Sequence, residues 1–265
     1  MSYSTDEAQV VAAGFLAALQ SNALYAPPSA VCPPDRPLDM DGAVAVQRAF
    51  VELRSAVDRI AGYKSAANAA PLQEALRLTA PISGVLFASG ARAAGSILAH
   101  TAYRTLLIET EIGFRAARRI GARVLSLAEL RNATSTCIPM IELADPGFGR
   151  TRFTGLDLLA ANAASAGFIC GTAQSAARVD ANEVRVRLCR DDTTLHEAQG
   201  RDLMGDQWQA LLWLVNTVVE LGYVIEPGQL LMTGALGGAH PALPGEYVAE
   251  FGVLGEVRFS VASQQ

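Results

Sequence analysis

The chain has 265 residues, 51% hydrophobic and 18% charged, which supplies a packed core and leaves too little charge for disorder. Its net charge of −5 excludes the broad basic surface of a nucleic-acid-binding protein. No apolar run reaches the length of a membrane span and no secretory leader is evident, so a cytoplasmic protein is expected.

The first predicted element is a helix to about Leu19, opened by "STDE", a capping box with Ser4 as N-cap and Glu7 three residues on. "YAPPSAVCPPDRP", residues 25–37, carries five prolines and is expected as an extended tether. "LDMDGAVAVQRAFVELRSAV" resumes helical spacing, with Val44, Phe50, Val51, Leu53 and Val57 available for an apolar stripe. Two helices and a tether cannot form a core alone, so residues 1–60 read as a helical segment packed on something larger. From residue 61 to 265 short apolar runs punctuated by glycine and proline predict strands, at 83–87, 105–114, 138–143, 166–171, 184–189, 229–234 and 253–261. Helices are expected at 154–164 and 206–222, the second ended by Gly222. The strands are too unevenly spaced for a doubly wound parallel sheet. The expected class is α+β, a mixed sheet rolled on itself with flanking helices and a helical N-terminal segment.

Two features carry chemistry. Of 21 basic residues Lys64 alone is lysine, in "IAGYKSAAN", and an ammonium can change its protonation on burial where a guanidinium cannot. In "LLIETEIGF", residues 106–114, period two places Glu109, Glu111 and Gly113 on one strand face. Two adjacent carboxylates suit either a solvated sheet face or a hard cation with oxygen ligands. Glu142, in the buried-looking run "IPMIELAD", could bring a third carboxylate to the same point if the two strands lie side by side. Three oxygen donors without histidine or thiolate suit Mg²⁺ or Mn²⁺.

Other sites find little support. The sequence has no nucleophile elbow, phosphate loop or zinc helix, and "TGALGGAHP" lacks dinucleotide-fingerprint spacing. His100, His196 and His240 are far apart in sequence and read as surface or loop residues. Cys32, Cys137, Cys170 and Cys189 show no C-x-x-C or zinc spacing and are expected as thiols.

The order GYK, E-x-E, P-x-I-E-L, "GDQWQALLWLVNTVVELG" and "LLMTGALGGAHPALPGEYVAEFGVLGEV" resembles the 2-keto-4-pentenoate hydratases and 4-oxalocrotonate decarboxylases of the fumarylacetoacetate hydrolase superfamily. The resemblance spans nearly the whole chain. It implies a Mg²⁺ or Mn²⁺ site of Glu109, Glu111 and Glu142, with Lys64 as acid/base or positioning group and Asn68, Ser165 and Thr233 as substrate-binding positions. It also implies a homo-oligomer acting on small 2-oxo or 2-hydroxydienoic acids of aromatic meta-cleavage, with water added through a dienolate that the cation stabilises. The alternatives are a 2-oxo acid decarboxylase and a catalytically weak homologue that binds 2-oxo acids. A carbon–carbon hydrolase fits less well, for want of a histidine–acid pair.

The sequence departs from the family pattern around the site. The run after GYK is Ser65-Ala66-Ala67-Asn68, where hydratases commonly carry an aliphatic residue, glycine and a hydroxyl residue. The usual D-N-A segment appears as Ala161-Asn162-Ala163, followed by Ala164 and then Ser165. Pro81-Ile82 replaces a P-D pair. The ligands are kept while their polar surroundings change.

Overall fold

The structure, a computed structural model, describes residues 4–32 and 35–262; Pro33 and Pro34 of the proline-rich tether lie outside them. Eight strands form one mixed sheet: β1 (Ile60–Ala66), β2 (Ile82–Phe87), β3 (Ala91–Arg92), β5 (Leu107–Ala116), β6 (Thr134–Ala144), β7 (Ser165–Cys170), β8 (Gln174–Ser175) and β11 (Leu230–Pro241). Their order is β2-β1-β11-β5-β6-β7-β3, with β8 pairing β6. A second sheet, in the order β10-β9-β12-β13-β4, is built from β4 (Ile97–Ala99), β9 (Arg185–Arg190), β10 (Thr193–Gln199), β12 (Gly245–Glu250) and β13 (Glu256–Ala262). The mixed-sheet α+β architecture expected from the sequence is the one observed.

Among the described residues seven helices flank the sheets: α1 (Thr5–Gln20), α2 (Pro28–Val31), α3 (Met40–Ser55), α4 (Ala70–Leu76), α5 (Leu127–Asn132), α6 (Gly155–Ala160) and α7 (Gln207–Glu220). The capping box of α1 forms as expected, with Glu7 N donating to Ser4 Oγ and Ser4 N to Glu7 Oε2. Ala8, Ala12 and Phe15 of α1 and Val46 and Phe50 of α3 join the same apolar core as Phe114 of β5 and Leu211 of α7. Phe50 meets Phe87 of β2 edge-on, with ring centroids 6.4 Å apart. No helix among the described residues is long and apolar enough to cross a membrane.

Several elements differ from their sequence reading, among them the strand expected over 229–234, which runs on to Pro241. The tether is not wholly extended: Pro28 opens the single turn of α2, a position where a missing N–H costs nothing. Ser29 there donates through N and Oγ to Asp157, both at 2.8 Å. The helix expected over 154–164 stops at Ala160, because Asn162, Ala163 and Ala164 all take left-handed backbone with φ of 56°, 51° and 59°. The strand expected from 253 starts at Glu256, after a short turn over Gly252–Leu254 that ends on Gly255 at φ 92°.

Candidate metal centre

Four adjacent strands, β1-β11-β5-β6, bring the four candidate residues together. β5 and β6 are antiparallel with Glu109 opposite Glu142, so alternation puts Glu109, Glu111 and Glu142 on one face. β11 lies on the other side of β5, and Lys64 of β1 is opposite Met232 of β11. The other face of β5 carries Ile108, Ile112 and Phe114, all fully buried, which fixes the register: a slip of one residue would drive the carboxylates into that core. Below the site Ile138, Met140, Phe168, Leu230, Met232 and Leu86 form a second apolar cluster.

Carboxylate oxygens of Glu109, Glu111 and Glu142 lie within 4.8 Å of one another. Glu111 and Glu142 are 0% exposed and Lys64 2%, which excludes the solvated-face reading of E-x-E. Lys64 Nζ sits 2.8 Å from Glu142 Oε1 and 3.0 Å from Oε2. Glu111 Oε2 accepts from Gly234 N at 2.8 Å, while Glu111 Oε1 is buried without a hydrogen-bond partner. Fully ionised, three carboxylates and one ammonium would carry two negative charges in a buried pocket. Burial and the neighbouring Glu142 push Glu109 up to about 7 and Glu111 well above the usual carboxylate range. Burial pulls the Lys64 ammonium down, but Glu142, Glu109 and Glu111 outweigh it and hold the group above its ordinary value. The lone lysine therefore stays charged, paired with a carboxylate. An unpartnered ligand oxygen, an all-oxygen donor set and an excess of two negative charges fit one hard divalent cation.

The site opens on a cavity of about 360 Å³. Lys64, Glu109 and Asn68 line it. Asn68 Nδ2 donates to Ser65 Oγ at 2.7 Å, and its Oδ1 is buried without a partner. Gly234, at φ 124°, makes room for that carboxamide: a Cβ there would stand 2.2 Å from Asn68 Oδ1. The other two expected substrate positions are engaged elsewhere. Thr233 Oγ1 lies 2.7 Å from both Ile112 O and Gln207 Oε1, inside the core. Ser165 opens β7 opposite Ala144 and faces a separate small cavity with Phe15, Leu19 and Tyr25.

The sequence reading missed two neighbours of the site. His196 and His240 are not scattered: their rings stack with centroids 4.9 Å apart, and His196 Nδ1 lies 2.8 Å from His240 Nε2. Thr110, between the two glutamates, donates to Leu236 O at 2.8 Å and so accepts from His196 Nε2, 3.0 Å away. The other is Asn162, whose side chain accepts from Val85 N at 2.7 Å and donates to Val85 O at 2.9 Å. It thereby caps the open side of β2 and sets Ala163 and Ala164 into the cavity wall. Asn162 had a sequence signal as the kept asparagine of the D-N-A-like segment, though not for this role, and the histidines had none beyond their residue type.

No family model matches the chain. Among curated proteins it is 29% identical over 253 residues to a 2-keto-4-pentenoate hydratase of Paraburkholderia phymatum, covering 94% of this chain and 95% of that one. A 2-keto-4-pentenoate hydratase of Burkholderia vietnamiensis is 29% identical over 219 residues, 82% and 84% of the two chains. Among solved structures, 4-oxalocrotonate decarboxylase from Pseudomonas putida G7, complexed with magnesium and adipate, superposes with a TM-score of 0.91 at 21% identity, covering 98% of each chain.

Proposed function

We propose that this chain, homologous to the 2-keto-4-pentenoate hydratases and folded like 4-oxalocrotonate decarboxylase, is a divalent-metal-dependent hydratase of 2-hydroxy-2,4-dienoates and their 2-oxo-4-enoate forms. The observation that carries the reading is the cluster of Glu109, Glu111 and Glu142 beside Lys64 at the inner end of a cavity. Those three glutamates would hold Mg²⁺ or Mn²⁺. The bound ion supplies Lewis acidity toward the carboxylate and 2-oxo oxygens of such an acid.

The chain's own residues do the rest. Glu111 Oε1 is a buried ligand oxygen without a hydrogen-bond partner, and Glu111 Oε2 is fixed by Gly234 N. Lys64 keeps a proton on Nζ, held by both oxygens of Glu142, and serves as proton donor or as an anchor for the substrate carboxylate. Asn68, its Nδ2 donating to Ser65 Oγ, lines the cavity beside Lys64 and Glu109 and so stands where it can contact the substrate. Thr233 and Ser165 act on the site through the strands they fix. The same reading places the enzyme in the cytoplasm as a homo-oligomer.

Calorimetric titration of oxalate, a planar mimic of a pyruvate enolate, tests it. Binding is expected in the presence of Mg²⁺, and is expected to be lost without the metal and in Glu111→Gln. Binding that ignores both changes would sink the metal-site assignment. With dienoate substrates, water uptake without CO₂ release marks the hydratase, CO₂ release the decarboxylase, and binding without turnover the catalytically weak homologue.

A further inference from the structure

Past the glutamates the cavity changes character. On the strand faces that carry the ligands, the pair Leu107–Ala144 follows the pair Glu109–Glu142 by one dipeptide repeat, about 7 Å. Leu76, Phe153 and Leu158 also line the cavity, together with Leu72 and Met204. The last two remain 48% and 42% exposed, where the cavity meets solvent. Among the described residues that line it, Lys64 is the one cation, and both oxygens of Glu142 hold it at the glutamate end. The acid that joins Glu109 in the lining is Asp202. A volume of about 360 Å³ is more than twice the roughly 150 Å³ of an apolar cavity that accommodates benzene. A dienoate head does not fill such a space.

Resting on the hydratase reading, we infer that the substrates of this chain carry an uncharged, apolar tail, alkyl or aryl, beyond the dienoate head, and that Leu72, Leu107, Phe153 and Met204 select it. A terminal carboxylate in the same place would lie against apolar side chains without gaining a cation, with Asp202 among its neighbours. The tail also explains the mouth. Two large exposed apolar side chains at the rim of a cavity gain burial when an apolar group comes to lie against them.

The test is calorimetry with Mg²⁺ present, using 2-oxobutanoate, 2-oxohexanoate and 2-oxooctanoate, with 2-oxoadipate as the charged analogue and oxalate as the head-group control. Affinity is expected to rise about fourfold per added methylene. 2-Oxoadipate is expected to bind at least about tenfold more weakly than 2-oxohexanoate, which has the same number of carbons. Leu72→Arg supplies the missing cation on a helix, α4, that has no buried residues, so the fold is unaffected and the preference should shift toward 2-oxoadipate. Equal or tighter binding of 2-oxoadipate by the unaltered protein, with oxalate still bound, overturns the tail inference and leaves the hydratase reading standing. Loss of oxalate binding as well brings down both. An unchanged order in Leu72→Arg removes Leu72 from the tail site.

Discussion

Asn162 shows how one side chain can hold a difficult backbone in place. Three successive non-glycine residues in left-handed conformation are costly, and they persist where the surroundings over-determine them. Here the surroundings are the two hydrogen bonds to Val85, an Asn162 that is 1% exposed, and Ala164 O, which accepts from Asp145 N at 2.8 Å. Asn162→Ala strands both Val85 backbone groups in the core and is expected to cost about 2–4 kcal/mol in urea denaturation. It should also weaken oxalate binding less than Glu111→Gln does, because it moves the wall and not the ligands. The glutamates were readable in the sequence because period two and a hard-donor set are local facts. Asn162 was not, since its partner is 77 residues away and the helical pattern of 154–164 ran straight through it.

At the scale of elements, the histidine pair ties β10, in the second sheet, to β11 and β5 in the first. Burial first, and then His240, push His196 down to about 4, so the ring stays neutral in the folded protein. A folded pKa below the ordinary 6.5 means that the neutral ring stabilises the fold fully above that value, and that this contribution is lost as pH falls through 4. Between pH 7 and 4 the unaltered protein should lose roughly 1–3 kcal/mol more than His196→Gln, after allowance for partial exposure. Thermal melts of both proteins across that range measure the difference; parallel curves would exclude the coupling. Sequence separation hid this contact; β10 and β12 went unread although they pair with β9 and β13 across short connections, because their residues carry no strong apolar run. The strands with strong apolar runs, β2, β5, β6 and β7, were recovered because burial on both faces writes itself into composition.

For the whole molecule, the question is whether the first sixty residues stand apart. Their apolar residues belong to the core that also contains the strands, through Phe15, Val46 and Phe50. Phe50→Ala should cost about 3–5 kcal/mol and leave a single unfolding transition. Trp208 and Trp213, the two tryptophans, both lie in α7, so their fluorescence reports the sheet side while the substitution lies in α3. An early transition seen by circular dichroism and silent in fluorescence would mean that the helical segment unfolds separately. The dependence of two helices and a tether on a larger partner could be reasoned from their size, whereas the closeness of that packing could not.

The solitary lysine has one more consequence. A protease that cleaves only after lysine has a single target in this chain, the Lys64–Ser65 bond. That bond lies in the middle of β1, with β2 on one side and β11 on the other, and both residues are buried. Fraying termini and open loops therefore contribute nothing to its cutting. The rate of that one cleavage counts how often the strands around the glutamates come apart, and it does so without a label or an engineered site.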